Sequence, residues 1–532
     1  MNFIVQYQKW VKEDYKKLND SINNLFGFTN LQFYMPLYSL YFYIHNKSKA
    51  NKKIDLKRNF YLKEVLEITK SRYYNSNMFL KGRIYNENKN MTEERELFCK
   101  SIPIVDPIHV INNNYNLVNH INFHLPSNYN YNTFSKINDM NNTAYIDVFC
   151  SYLFGYLTYK KINPSFALYY GSSNGIGDYK YDISEDYDDI KYDKSFNDNI
   201  DKGFKLEIYI SDSEEDDDDS DNNSVDESDI DNKSSNSSKS SKSSKSSKSS
   251  KSSKSSKSSN SSKSSKSSKS SKSSKSSKSS KSSKSSNSSK SSDNFNDCIA
   301  KLTKIPIQLL FIEKLEGTLE DLIDENVSEE ILLSCLFQIS FALTYLQKHF
   351  SFTHNDLHIN NIMFQRTENK YLYYKYNNIY YRVPTHGYIF KIIDFGRAIF
   401  TFKNKVFMND VFSNYGEAGG QYTYPNQVQF TKYKSNDIVK PNYHFDLCRL
   451  SMTILQEIDI DKYSDKIIDF MNQMCINSHE KNFCDMPDDF YLYKSIARDA
   501  CNCLPREVIM NDIFKSYRIK KKLFPRKSYY TL

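Results

Sequence analysis

The sequence has no long hydrophobic run. Its longest aromatic-rich stretch, Leu31 to Ile44, is interrupted by Pro36 and Ser39, whereas a membrane-spanning helix needs about 20 apolar residues. Met1 to Trp10 also lacks the basic start and apolar centre of a secretory signal peptide. We therefore expect a soluble, intracellular protein with no membrane segment.

The cysteines do not indicate a disulfide framework. There are nine in 532 residues, and an odd number without a secretory signal is typical of reduced thiols in a cytosol-like compartment. Cys501 and Cys503 have no second pair at zinc-finger spacing. We expect small buried side chains and no zinc site at this pair.

The excess of positive charge comes from one region. Residues 212–231 contain 12 acids and no base, and residues 233–292 are 20 triplets of Lys-Ser-Ser or Asn-Ser-Ser, 17 of them with Lys. The rest of the chain has 55 bases and 52 acids, which does not indicate a nucleic-acid surface. Because this composition cannot bury a core, we expect residues 178–297 to be a disordered insert. It could contact polyanions, accept phosphate or serve as a spacer.

Two polar turns flanked by apolar runs are the strongest chemical signal. Residues 352–364 contain Asp356 and Asn361, and residues 390–400 contain Asp394. Mg²⁺ prefers oxygen ligands and usually takes one or two carboxylates together with phosphate oxygens. The pattern therefore suits a magnesium–triphosphate site, although Asp and Asn also form ordinary turns.

The first turn, H-N-D-L-H-I-N-N from His354 to Asn361, resembles the H-R-D-L-x-x-x-N catalytic loop of protein kinases, and Asp394-Phe395-Gly396 resembles their D-F-G motif. The resemblance implies that ATP and Mg²⁺ are the cofactors. It implies that Asp356 accepts the proton of the attacking hydroxyl, and that Asn361 and Asp394 hold the metal.

The loop departs from the common pattern at two positions. Asn355 replaces the Arg that pairs with a phosphorylated activation segment, so we expect no switching by phosphorylation there. His358 replaces the Lys that contacts the γ-phosphate and is a further candidate catalytic residue. H-x-D-L-H-x-x-N is found in haspin-like protein kinases and in aminoglycoside- and choline-kinase-type enzymes. The whole chain most resembles divergent protein kinases of large DNA viruses.

The segments before the insert resemble the small lobe of a kinase. Strands are predicted at Tyr61–Ile68, Met78–Tyr85 and Glu96–Ile104, and Lys100 stands where the resemblance places the phosphate-binding lysine. A helix is predicted from Ala144 to Ile162. It has no Glu, so Asp147 is the candidate partner of Lys100. The turn at 69–77 contains no glycine, unlike the glycine-rich loop of the family.

The segments after the insert resemble a hinge and a large lobe. A strand is predicted at Ile305–Ile312, with Ile312 in the gatekeeper position, followed by Glu313 and Leu315 as cofactor-contacting hinge residues. A long helix after Ser328 leads to the catalytic loop. Asp446 resembles the buried carboxylate that steadies this loop. The region after Arg397 has no clear A-P-E motif.

The expected fold is α+β and bilobal, with a small β-rich lobe and a larger helical lobe. The expected parts are a helical extension (1–58), the small lobe (59–177), the insert (178–297), the end of the small lobe with the hinge (298–316), the large lobe (317–519) and a basic tail (520–532). The expected function is ATP- and Mg²⁺-dependent phosphorylation of Ser or Thr on a protein substrate, in a host cytoplasm or virion. The alternatives are a small-molecule kinase and a pseudokinase scaffold that presents the insert.

Overall fold

The computed structural model describes residues 12–33, 60–72, 77–115, 128–210, 296–414, 416–425, 438–487 and 490–532. The acidic run and the Lys-Ser-Ser repeat lie outside these residues, as do much of the predicted N-terminal extension and residues 73–76 of the glycine-free turn. The described residues form a mixed α/β structure with several sheets. The predicted α+β class is consistent with it.

Seven strands of the described residues form one sheet. Its strands are β1 (Thr29–Phe33), β2 (Phe60–Arg72), β3 (Asn77–Asn86), β4 (Met91–Pro103), β5 (Tyr169–Asp182), β6 (Phe204–Ile210) and β7 (Asn296–Glu313). The order is β1-β5-β7-β4-β3-β2, with β6 also paired to β7 and every pair antiparallel. The predicted strands at 61–68, 78–85, 96–104 and 305–312 are therefore confirmed. Burial alternates along β3, as expected for a strand with one covered face.

Six helices of the described residues accompany this sheet: α1 (Lys12–Phe26), α2 (Pro107–Ile111), α3 (Asn128–Asn138), α4 (Thr143–Tyr159), α5 (Tyr187–Ile190) and α6 (Lys194–Asn199). The predicted helix at 144–162 is α4, which Asn142 caps by accepting from the Ala144 N–H. Its residues are buried around almost the whole helix. Helix α4 is therefore an interior element that can carry a charged side chain into the core.

The second half of the chain is richer in helices. Its elements are β8 (Gly317–Thr318), α7 (Leu319–Asp324), α8 (Glu329–Phe350), β9 (Ile362–Arg366), β10 (Tyr371–Tyr376), β11 (Ile379–Pro384), β12 (Tyr388–Ile392), β13 (Ile399–Phe402), β14 (Lys405–Met408), α9 (Phe445–Glu457), α10 (Asp465–Met474), α11 (Phe490–Asp499), α12 (Pro505–Val508), β15 (Arg518–Ile519) and β16 (Tyr530–Thr531). Strands β12, β9 and β8 form one sheet, β13 and β14 a hairpin, and β15, β11, β10 and β16 a third sheet.

Helix α8 is the long helix predicted before the catalytic loop. In the described part of the chain it is the one helix long and apolar enough to cross a membrane, but 78% of its most apolar window is buried inside the protein. Phe337 and Phe341 on α8 pack against Tyr374 of β10. The apolar character of α8 is therefore explained by its place in the core.

The sheet continues further into the predicted insert than the composition indicates. Residues 178–210 contain the end of β5, then α5, α6 and β6, so the predicted start of the insert at 178 is wrong. This segment is rich in acids, but it also contains Ile183, Phe196 and Phe204, which are all buried in the core of the sheet. These buried apolar side chains, together with the pairing of β6 with β7, connect the segment to the fold.

Residues 12–33, the described part of the predicted N-terminal extension, pack against the seven-stranded sheet and add a strand to it. Leu18 and Ile22 of α1 are buried, and Ser21 accepts a hydrogen bond of 3.1 Å from the Val65 N–H of β2. Strand β1 pairs with β5. The strand predicted to end at Gly171 therefore runs on through the glycines at 175 and 177.

The last residues are not a free tail. Strand β16 lies parallel to β10, and the Leu532 N–H donates to the Lys375 carbonyl at 3.1 Å. The hairpin β10–β11 turns at Asn377 and Asn378, both with positive φ, as in the two-residue turns that suit twisted strands. The hairpin predicted at 371–383 is confirmed, and the chain end completes its sheet.

Candidate functional site

Lys100 lies on β4, a central strand paired with β3 on one side and with β7 on the other. Its ammonium nitrogen is 2.8 Å from Asp147 Oδ2 on α4 and 2.7 Å from Asp394 Oδ1. The ion pair of Lys100 with Asp147, predicted from the order of the motifs, is present. The structure adds Asp394 as a second partner of the same ammonium group.

The two carboxylates differ in their surroundings. The Asp147 side chain is 2% exposed and that of Asp394 is 42% exposed. Burial raises the pKa of Asp147, which the Lys100 ammonium only partly opposes. Burial also acts to raise the pKa of Asp394, but the charge and hydrogen bond of Lys100 outweigh it and lower the pKa to about 2. Asp394 is therefore the ionised carboxylate that faces open space.

Asp147 also holds the turn that carries Asp394. Its Oδ1 accepts a hydrogen bond of 3.0 Å from the Phe395 N–H, and the Phe395 ring packs edge-on against Phe154, two helical turns further along α4. Asp394 has φ +59°, a left-handed conformation that is uncommon outside glycine. The contacts of α4 with Phe395 stabilise this turn from one side.

The predicted catalytic loop is held by the buried carboxylate of Asp446 at the start of α9. Asp446 accepts from the His354 N–H at 2.9 Å and from the Asn355 N–H at 2.9 Å. Asn355 has φ +65°, so the carboxylate fixes a conformation that a non-glycine residue rarely adopts. The His354 ring lies 2.9 Å from the Ile393 carbonyl, which ties the loop to the turn at Asp394.

Asn355, which stands in place of the usual Arg, is fully buried. Its amide nitrogen donates to the Arg397 carbonyl at 3.0 Å, and its amide oxygen accepts from the Tyr422 hydroxyl at 2.9 Å. It therefore joins the loop to the segment after Arg397 without using a charge.

Asp356 faces two side chains from distant parts of the chain. The Tyr493 hydroxyl of α11 donates to Asp356 Oδ1 at 3.3 Å, and Arg397 Nε lies 4.0 Å from Asp356 Oδ2. Burial, and then the charge of Asp356, raise the pKa of Tyr493, so the phenol keeps its proton. Tyr493 was missed in the sequence because α11 is 137 residues further along the chain and carries no motif.

Asn361 and Asp394 are neighbours because their strands pair. Ile362 of β9 lies opposite Ile392 of β12, and the Ile393 N–H donates to the Asn361 carbonyl at 3.1 Å. The Asn361 side-chain nitrogen donates to the Asp356 carbonyl at 2.8 Å and lies 3.0 Å from His358 Nε2. Both of these contacts use nitrogen, so the amide oxygen of Asn361 is the atom available to a cation.

This donor set fits Mg²⁺. One amide oxygen and one carboxylate held ionised by its surroundings are the kind of protein ligands that Mg²⁺ takes when phosphates and water complete its shell. In the part of the chain that the structure describes, no group of three or more His, Cys, Asp or Glu side chains is arranged as a metal site. A cation held here would therefore depend on ligands brought by a substrate.

His358 lies next to these groups and is partly buried. Burial lowers its pKa, against the opposing charge of Asp356. The ring is therefore neutral at pH 7, with Nε2 facing the Asn361 amide. A neutral imidazole cannot supply the positive charge of the Lys that this position has in common protein kinases.

A cavity of about 110 Å³ adjoins the ion triad. Lys100, Asp147 and Asp394 line it on one side, and Ile312 and Phe98 line it on another. Of the three predicted hinge contacts, only Ile312 borders this cavity. Leu315 is buried in the core instead.

The Glu313 side chain points into a buried ion pair. Its Oε2 accepts from Lys391 Nζ at 2.7 Å and from the Leu168 N–H at 3.0 Å, and its Oε1 accepts from Gln365 at 3.2 Å. The side chains of Lys391 and Glu313 are 2% and 12% exposed. A contact of Glu313 with a cofactor would therefore use its backbone.

No protein-family model matches the chain. It is 27% identical over 200 residues to "Putative serine/threonine-protein kinase R301" of Acanthamoeba polyphaga mimivirus, a match that covers 35% of this chain and 47% of that protein. It is 33% identical over 111 residues to "Uncharacterized protein 098R" of Invertebrate iridescent virus 6, covering 20% of this chain and 18% of that protein. The chain spans about half the length of the first relative and about a fifth of the second. The first similarity relates the chain to a kinase-like family.

Proposed function

We propose that the protein is an ATP- and Mg²⁺-dependent phosphotransferase that acts on Ser or Thr of a protein substrate. The observation that carries the proposal is the triad of Lys100, Asp147 and Asp394 beside one cavity, with Asn361 and Asp356 on the adjoining loop. These five side chains come from four separate parts of the sequence. Together they supply a cation for phosphates, oxygen ligands for a metal and a carboxylate for a hydroxyl proton.

On the nucleotide side, Lys100 would orient the α- and β-phosphates while Asp147 keeps its ammonium in place. Asp394 and Asn361 would hold Mg²⁺, which when bound neutralises charge on the β- and γ-phosphates. The lowered pKa of Asp394 keeps it ionised at any physiological pH. The Lys100 ammonium contacts both Asp147 and Asp394. When a nucleotide enters, the ammonium would keep Asp147 and replace its contact with Asp394 by contacts with phosphate oxygens.

On the acceptor side, Asp356 would take the proton of the attacking hydroxyl. The Asn361 amide bonds the Asp356 carbonyl, and Asp446 holds the backbone just before it, so the carboxylate is presented by a fixed loop. Arg397 Nε lies 4.0 Å from Asp356 Oδ2, so a positive charge faces this carboxylate. His358, neutral and adjacent, would contact the transferred phosphate by hydrogen bonding alone.

A protein acceptor is favoured by the long segment after Arg397, which Asn355 contacts at Arg397 and Tyr422, and by the similarity to "Putative serine/threonine-protein kinase R301". The Lys-Ser-Ser repeat would give the chain a separate contact with polyanions. The similarity to two viral proteins supports a location in an infected cell or a virion.

A pseudokinase scaffold is the second candidate, and a specific observation favours it. The cavity of about 110 Å³ is smaller than the roughly 300–1,000 Å³ of most ligand pockets. The turn that would cover the phosphates has no glycine. A scaffold of this kind would keep the triad of Lys100 as a structural ion pair and would not transfer phosphate.

Phosphate transfer from labelled ATP with Mg²⁺ tests the proposal. The full chain would be compared with Asp394→Ala and with Asp459→Ala, which removes an exposed surface carboxylate. We expect labelling of a basic acceptor protein by the full chain and the Asp459 variant, and none by the Asp394 variant. If none of the three transfers phosphate and Mg-ATP does not raise the melting temperature, the scaffold is the correct function.

A further inference from the structure

Four thiols lie close together near α9. Cys448 is on α9, Cys475 caps the C-terminus of α10, Cys484 is in the 3₁₀ turn at 483–485, and Cys503 precedes α12. Three of them are fully buried, and Cys484 is partly exposed. The four cysteines are spread over residues 448–503 and form no motif, so the fold brings the two ends of this stretch together.

Cys475 and Cys484 are the ends of a tight loop. The Phe483 N–H donates to the Cys475 carbonyl at 2.9 Å, and Ile476 pairs with Asn482 in an antiparallel bridge. This pairing folds the segment back on itself, and the thiols of Cys475 and Cys484 are in hydrogen-bond contact. The loop therefore holds the two thiols next to each other.

Cys448 and Cys503 form a second pair behind the first. The Cys503 thiol donates to the His444 carbonyl at 2.9 Å, the same carbonyl that accepts from the Cys448 N–H at 3.2 Å. The Cys475 thiol lies 4.0 Å from the Cys448 carbonyl. The four thiols are thus arranged as two pairs, in agreement with the absence of a metal-holding group among the described residues.

The two members of the first pair differ in reactivity. The hydrogen bond from Cys475 lowers the pKa of Cys484, and the nearby Arg449 charge acts in the same direction. The pKa of Cys475 is raised by the same hydrogen bond and by burial. Since the thiolate is the nucleophile, and Cys484 alone of the four is accessible, Cys484 is the thiol that would react first.

We propose that Cys475 and Cys484 are a redox modification site that forms a reversible disulfide when the protein meets a hydroperoxide. The Cys484 thiolate attacks one peroxide oxygen and the O–O bond breaks, giving a sulfenic acid and an alcohol or water. The Cys475 sulfur then attacks the Cys484 sulfur, the S–O bond breaks, and water leaves with the Cys475 proton. Two thiols and one hydroperoxide become one disulfide, one alcohol and one water. A dithiol reductant reverses the step by exchange.

The Cys475–Cys484 pair is connected to the candidate site through the helix that carries Asp446. Cys448, against which Cys475 packs, is two residues from Asp446 on α9, and Arg449 lies over the Tyr493 ring at 5.1 Å. Oxidation of the pair itself requires no phosphotransferase activity, so its test is independent of the proposed function.

The test uses the full chain in its reduced form, treated with hydrogen peroxide and then with an alkylating agent. Trypsin cleaves after Lys466, Lys481 and Lys494, so the two cysteines fall on the separate peptides 467–481 and 482–494. We expect these two peptides to appear as one cross-linked species that dithiothreitol separates. In Cys475→Ser the disulfide is lost, and dimedone labels Cys484 as a sulfenic acid.

Cys501 provides the internal control, because its side chain is exposed. Its remaining burial and the charge of Asp499 raise the pKa of its thiol. We expect Cys484 to be alkylated by iodoacetamide at pH 7 at least about tenfold faster than Cys501 in the unmodified protein. This comparison needs no variant, so a folding defect cannot obscure it. Equal rates, a dominant cross-link through Cys501 or Cys503, or stoichiometric zinc in the purified protein would each overturn the proposal.

Discussion

Replacing Asp446 by Ala should release the candidate catalytic loop at residues 354–361. Asp446 is fully buried, and its carboxylate accepts the N–H groups of His354 and Asn355, which are also fully buried. A buried donor left without a partner costs about 1–3 kcal/mol, so the loss of both acceptors should cost about 2–6 kcal/mol. Asp446→Asn keeps one acceptor oxygen and turns an N–H₂ group toward the other donor, so it should fall between Ala and the wild type.

Hydrogen exchange is the assay, because it reports the opening of this loop separately from unfolding of the whole chain. A loss of 2 kcal/mol corresponds to exchange about 30-fold faster, and we expect at least this increase in a peptide that contains residues 354 and 355. Asp459→Ala is the matched control, since Asp459 makes an exposed ion pair with Lys462, of a kind that contributes about 0–1 kcal/mol.

The result that would refute the reasoning is unchanged exchange at residues 354 and 355 in Asp446→Ala. It would mean that other contacts fix the left-handed backbone at Asn355. Faster exchange across the whole protein in the Asp459 control would also contradict it, because the effect would then not be specific to the buried carboxylate.

Three further predictions follow from contacts elsewhere. Tyr493→Phe keeps the ring but frees Asp356 Oδ1, so kcat/KM for a protein acceptor should rise a few-fold with Mg-ATP affinity unchanged; a fall would show that the hydroxyl assists the reaction. Lys391→Met leaves Glu313 buried without its cation and should lower the free energy of unfolding by about 3–5 kcal/mol in urea titrations, part of which a second change, Glu313→Gln, should restore. Gly177→Ala places a Cβ 2.2 Å from an aromatic ring atom and should cost about 1–3 kcal/mol by the same measurement.

The strands and helices near the site could be predicted because each has a clear local pattern. β3 alternates buried and less buried residues, and α8 follows a capping serine with acids in its first turn. The predictions were wrong for segments in which a few apolar residues make core contacts although the overall composition is polar. The stretch 178–210 is rich in acids, yet Phe196 and Phe204 hold it to the sheet.

The candidate site was only partly predictable. The order of the two motifs placed Asp356, Asn361 and Asp394 together, since both turns lie at the ends of paired strands. No local sequence pattern indicates that the Glu313 side chain forms an ion pair with Lys391. Contacts between side chains of distant segments depend on how helices and sheets pack, and no short pattern encodes that.

The sequence by itself determined the local elements, the order of the two polar motifs and the position of the low-complexity tract, because these depend on neighbouring residues. Tertiary structure alone decided that Lys100 meets two carboxylates, that Tyr493 reaches Asp356, and that Cys475 and Cys484 share a hydrogen bond. Each of these contacts joins two distant elements, and it forms only because the packed core holds those elements in fixed relative positions. A buried charge or thiol acquires its pKa from partners that only the fold supplies.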